Sequence, residues 1–181
     1  MLFNERGFGI LIAFVIPGWV VLLGCGLHSP MVAAWLSGAG QNQPAVGEFL
    51  YSLLAAVTLG LLTSTVRWLV VDQVLKRLLP RGVGQPDFRG LRNLNAELQT
   101  LIEGHYRYYQ FHANLLVAST AAAALRWLAF DFRVHELVGA LCLWAVLGLG
   151  AKNTFYLYHK RVGQLLSTEP TVWSLILPGT K

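Results

Sequence analysis

Uncharged stretches as long as a bilayer is thick decide most of what this chain can become. A membrane helix needs about 20 mostly apolar residues, and four segments offer them, at about 7–27, 49–71, 108–130 and 134–158. The first carries no charged residue from Gly7 to Leu27, and the second none from Phe49 to Val66. The third is uncharged from Tyr108 to Leu125, while the fourth is uncharged only between Glu136 and Lys152. Phe155, Tyr156 and Tyr158 extend the fourth into the interface, and Lys152 can snorkel toward headgroups. Charged residues make up only 13 % of the 181-residue chain, about half the usual soluble share, so there is too little charge to coat a water-soluble surface. The expected fold is all-α: one integral membrane four-helix bundle spanning residues 1–181.

Orientation follows from the Lys and Arg count on each side. With the N-terminus inside, the inner side holds twelve of the fourteen cations and the outer side only Arg126 and Arg133. Both termini and the segment 72–107 are therefore expected in the cytoplasm. Pro17-Gly18 predicts a kink in the first helix, because proline removes a backbone hydrogen bond. Residues 37–47 read as a loop, and the very short turn at 131–133 makes the third and fourth helices antiparallel neighbours.

Segment 72–107 is the largest piece outside the bilayer. VLKRLLP continues the second helix to just before Pro80, and RGVGQPDFRG is turn-rich. Leu91, Leu94, Leu98 and Leu101 then recur at alternating three- and four-residue spacing, the pattern of an amphipathic helix. Such a stripe must be covered by the same subunit, by headgroups or by another copy. Arg92 is the lone cation between Leu91 and Ile102, which disfavours headgroups and favours a homo-oligomer seam.

Polar residues near hydrocarbon pair, snorkel or line a water-filled site. Here they form a layer at the inner end: Arg67 and Asp72 on the second helix, Glu103, Arg107, His112 and Asn114 around the third, and Lys152 on the fourth. The reading that asks least is interfacial anchoring with salt bridges; an ion or ligand path is the sharper one. Tyr106, Tyr108 and Tyr109 fit an interfacial aromatic belt. His28 and His135 near the outer side, with His112 and His159 near the inner side, raise a b-type haem carrier as a further reading. Those histidines sit at helix ends, shallower than haem ligands usually lie, so no cofactor is expected. Cys25 and Cys142 lack metal-ligand spacing and read as buried small hydrophobes. Leu22-Leu23-Gly24-Cys25 resembles a lipoprotein cleavage site, but its Leu23 is large and the flank Asn4-Glu5-Arg6 carries no net positive charge. GxSxG, HExxH and Walker-type loops are absent from the sequence.

RWLVVD (Arg67 to Asp72) and HYRYYQFHANLLVA (His105 to Ala118) resemble segments of a group of small, functionally uncharacterised bacterial multi-pass inner-membrane proteins that pair RWLxxD with an HYRYYQF-like run. The resemblance covers the second and third membrane helices and the loop between them. It implies a bacterial inner membrane and a similar topology, and it supplies no activity. The function expected is a non-enzymatic, homo-oligomeric inner-membrane component that presents its 72–110 loop to a cytosolic partner, with no nucleic acid bound. The alternative is a pore-forming or transporter-like effector, by analogy with small four-helix components of anti-phage systems.

Overall fold

The computed structural model describes residues 9, 11–37, 46–78, 102–130 and 133–167. Among the described residues the structure is helical, with no strand. A π-helical turn, Leu11–Val15, leads into α1 (Ile16–Gly26), followed by α2 (Pro30–Ser37) and the long α3 (Val46–Leu78). A second π-helical turn, Ile102–Tyr106, leads into α4 (Arg107–Ala129), and α5 (Val134–Ser167) ends the described chain. Two of these helices, over Val46–Arg77 and Val134–Gln164, are long and apolar enough to cross a membrane; Ile12–Gly26 is apolar but shorter. The Leu91, Leu94, Leu98 and Leu101 stripe and most of the 37–47 loop lie outside the described residues.

Contacts fix the direction of each helix. Gly18 meets Ala56 and Gly60 meets Phe14, so residue numbers fall along α3 as they rise along α1. Ala13 pairs with Asn114, Gly24 touches Ala122, and His28 reaches the carbonyl of Leu125, so α1 and α4 run the same way. From Tyr106–Tyr158 through Tyr109–Phe155 and Ser119–Trp144 to Arg126–Glu136, α4 and α5 are antiparallel, as the short turn requires. Helix direction therefore alternates along α1, α3, α4 and α5.

Small residues let these helices approach. A Cβ on Gly18 would overlap the Ala56 carbonyl oxygen, and one on Gly60 would overlap that of Phe14. Backbone thus lies on backbone at this crossing, a geometry only glycine permits. Ala118 is buried, and a Cβ on Gly24 would sit 3.1 Å from the Ala122 Cα. The small residues of α4 serve a contact within the subunit.

The core is mostly apolar, but several polar side chains are buried in it and many large apolar ones face outward. Ser52, Thr63, Arg67, Asp72 and Asn114 are buried, while Leu54, Leu62, Leu69, Val146 and Leu149 are more than half exposed. Hydroxyls on the helices are satisfied locally: Thr58, Thr65 and Thr120 each donate to the carbonyl four residues back, within 2.8–3.1 Å. Cysteine placement differs from the sequence expectation. Cys25 is only half-buried and Cys142 is exposed, because α5 packs on α4 along one face and turns the rest outward. The sequence reading also left α2 unassigned: Pro30 starts it, and the Ser52 hydroxyl, 3.1 Å from the Trp35 carbonyl, ties it to α3.

Candidate functional site: a buried polar cluster between α3 and α4

The site grows from an unusual spacing. Arg67 and Asp72 are five residues apart on α3, which does not place them squarely on one helix face. Their side chains nonetheless converge, with Arg67 Nε 3.7 Å from Asp72 Oδ1. Tyr109 of α4 brings them together. Its hydroxyl donates to the same Asp72 oxygen, and its ring lies 5.3 Å from the Arg67 guanidinium carbon. The carboxylate thus receives a neutral donor and faces a cation, while the cation also rests on an aromatic face. All three are nearly sealed from solvent: Arg67 is 4 % exposed, Asp72 6 % and Tyr109 0 %.

The floor of the cluster is apolar. Leu75, Tyr109, Ala113, Ala151 and Phe155 pack together, with Val71 and Tyr106 against them. The rings of Tyr158, Tyr106, Tyr109 and Phe155 follow one another in that order, tilted, at 4.9–5.9 Å between centroids. The dense aromatic run of α4 is therefore largely an inter-helix contact. Tyr108, by contrast, is exposed.

Asn114 has a different task. Proline at position 17 carries no N–H, so the carbonyl of Ala13, four residues back, loses its α-helical donor. The Asn114 amide supplies one, with Nδ2 donating to Ala13 O over 2.7 Å in a fully buried position. The backbone responds as well, forming the π-helical turn over Leu11–Val15 just before the proline. This is where the expected irregularity of the first helix falls.

The other expected site residues separate from the cluster. His112 donates through Nδ1 to the Tyr108 carbonyl at 2.7 Å and packs on Gly150, where a Cβ would come within 2.6 Å of its ring. Arg107 lies over Gly9, its Nη1 2.7 Å from the place a Cβ would occupy. Lys152 is exposed on α5, away from the buried group. Glu103 belongs to the π-helical turn before α4, and its side chain lies outside the described residues. Of the seven expected layer residues, Arg67 and Asp72 meet directly, and Asn114 is buried between α4 and the first helix.

Two residues of this machinery escaped the sequence reading in their present roles. Tyr109 had the interfacial explanation available to any tyrosine near a helix start. The Asn114–Ala13 bond joins residues far apart in the chain, and its one signal was Pro17, whose freed carbonyl needs a donor from somewhere.

Several donors and acceptors remain uncommitted. Arg67 Nε and Nη1 and Asn114 Oδ1 are buried without a hydrogen-bond partner. Antiparallel pairing of Asp72 with Tyr109 brings Arg67, five residues earlier, level with Asn114, five residues later. Among the described residues no group of three or more His, Cys, Asp or Glu side chains could hold a metal ion. Two further histidines bond backbone carbonyls: His28 Nε2 reaches that of Leu125 on α4, and His159 Nδ1 that of Phe155 one turn back. No family model, curated protein or solved structure matches the chain.

Proposed function

We propose that this chain is a non-enzymatic component of a bacterial inner membrane, crossing it four times through α1, α3, α4 and α5. Both termini lie in the cytoplasm, and the chain presents its 72–110 segment to a cytosolic partner as a homo-oligomer. The observation that carries the reading is the outward face: many large apolar side chains are exposed along the helices, while Arg67, Asp72 and Asn114 are buried among them. In water such a surface would aggregate, and in lipid it is the stable arrangement. Alternating helix direction supports an even number of crossings. The cations divide accordingly, since Arg67, Lys76, Arg77, Arg107, Lys160 and Arg161 lie toward one end while Arg126 and Arg133 lie at the other.

The clamp of Tyr109 on Asp72 bears on the presenting role. It joins the end of α3 to the start of α4, the two points from which the intervening segment departs. Whatever that segment binds, its base is held at a fixed spacing. The test is a panel of variants with a single cysteine, tagged from outside intact spheroplasts with a membrane-impermeant thiol reagent. Cysteines at Arg133 and at 37–45 should react, and cysteines at 79–101 should react only after lysis. Reaction of the 79–101 positions in intact cells would reject the topology.

A second reading, a pore or transporter-like effector, draws on the uncommitted Arg67 Nη1 and Asn114 Oδ1. Buried groups without partners are where a translocated ion or water would first find one. Ion flux in liposomes that is abolished by Arg67→Gln would select this reading over the first.

A further inference from the structure

We infer that the inner end of the bundle carries a binding rim for the headgroups of anionic phospholipids, formed by Lys76 and Arg77 of α3 and Lys160 and Arg161 of α5. The proposal rests on the membrane reading above and adds a charge-selective lipid contact to it.

All four side chains are exposed. The Leu75–Tyr109–Phe155 cluster gathers the two helices at this end, one residue before Lys76 and five before Lys160. Depth agrees as well. From Val134 to Phe155 an α-helix rises roughly 30 Å, about the thickness of the hydrocarbon core. The two α5 cations lie one to two turns beyond Phe155, at headgroup level, and the two α3 cations lie one turn beyond Asp72. Among the described side chains the only acid at this end is Asp72, which is buried and engaged by Tyr109 and Arg67. The opposite end is balanced by contrast, since Arg126 bonds Glu136 at 2.9 Å.

Helix capping accounts for part of this pattern and not for all of it. Lys76 and Arg77 occupy the last turn of α3, where the helix dipole favours cations. Lys160 and Arg161 precede the end of α5 at Ser167 by more than a turn, outside the dipole's short reach, and α5 has no basic residue in its last turn. Capping does not account for those two cations, and the counter-charge that a cytoplasmic leaflet offers them is lipid phosphate. Each cation near such a surface strengthens binding on the order of fivefold.

The experiment is native mass spectrometry of the full chain in mild detergent, titrated with phosphatidylglycerol or phosphatidylcholine. The expected result is retention of phosphatidylglycerol well above phosphatidylcholine, weakened by added salt, and lowered at least tenfold in K76Q/R77Q/K160Q/R161Q. Arg133→Gln, at the other end, should leave retention unchanged. K76R/K160R, which keeps every charge, should also retain the lipid, and the neutral variant should melt at the same temperature as the native chain in lipid-free detergent; a large drop in its melting temperature alongside the lost lipid would overturn the assignment to charge. Equal retention of the two lipids, salt-independent retention, or undiminished retention by the neutral variant overturns the charge-selective rim while leaving the membrane reading intact. Displacement by inorganic phosphate at matched phosphate concentration also overturns it, because the site would then be one for free anions. Failure to hold lipid of either kind overturns the membrane reading itself.

Discussion

Asp72 accepts from a tyrosine on another helix and faces an arginine on its own, so removing either partner has a distinct cost. Tyr109→Phe deletes one donor and leaves the carboxylate its cation; the expected loss is about 1–3 kcal/mol, the penalty for an unmet buried acceptor. Arg67→Leu leaves a buried carboxylate without a counter-charge, and the expected loss is larger, about 3–5 kcal/mol. Thermal unfolding of the two variants in the same detergent ranks them, and the reverse order would show that the ion pair is incidental. Asn114→Ala offers a sharper comparison. It should cost about 1–3 kcal/mol in the native chain, because the Ala13 carbonyl then lacks a donor. In a Pro17→Ala background residue 17 regains its N–H, and the same substitution should cost clearly less. A double-mutant cycle reads that coupling directly, and strict additivity would refute the link between the proline and the amide. The sequence already displayed Arg67 and Asp72 as charges too close to hydrocarbon to stand alone. It did not display Tyr109 as the third member, because partners on separate helices become neighbours only after packing.

The α1–α3 crossing rests on two glycines. Gly18→Ala or Gly60→Ala forces a methyl group onto a backbone carbonyl, which should destabilise by about 1–3 kcal/mol or more. Gly148→Ala is the matched control: nothing lies within 4 Å of its added Cβ, so helix propensity alone should leave stability equal or slightly higher. Detergent melting curves separate the two cases. Long uncharged runs made α3, α4 and α5 legible: α4 matches its estimate to within one residue at each end, while α3 runs seven and α5 nine residues past the estimated ends. The short α2 was not legible, since eight residues between a proline and a loop give too little periodicity to read. The leucine stripe at 91–101 lies outside the described residues, and its role stays a proposal for assembly. Burying each leucine contributes about 1.5–3 kcal/mol. Leu94→Glu combined with Leu98→Glu should therefore break a native-mass oligomer into smaller species, whereas an intact oligomer would remove the stripe from the interface.

For the whole molecule, the proposed topology draws on two independent observations. Charge asymmetry along the sequence predicts an even number of crossings with both ends inside, and inter-helix contacts give α1, α3, α4 and α5 alternating directions. Length and apolarity alone single out α3 and α5. The first apolar helix, Ile12–Gly26, is too short among the described residues. α4 is diluted by Arg107, His112, Asn114 and a run of alanines, the residues that let it sit at the centre against α1, α3 and α5. A helix surrounded by others has less need of an apolar exterior, so hydropathy is a poor guide to its place. The uncharged runs made α1, α3, α4 and α5 legible but not α2, and the central position of α4 was not legible. The most direct test of the central claim is a pair of C-terminal fusions to the full chain, one to a fluorescent protein that matures only in the cytoplasm and one to a phosphatase active only in the periplasm. The account predicts a fluorescent, membrane-bound fusion and an inactive phosphatase; an active phosphatase with a dark fluorescent fusion, or a fluorescent fusion recovered in the soluble fraction, would contradict it.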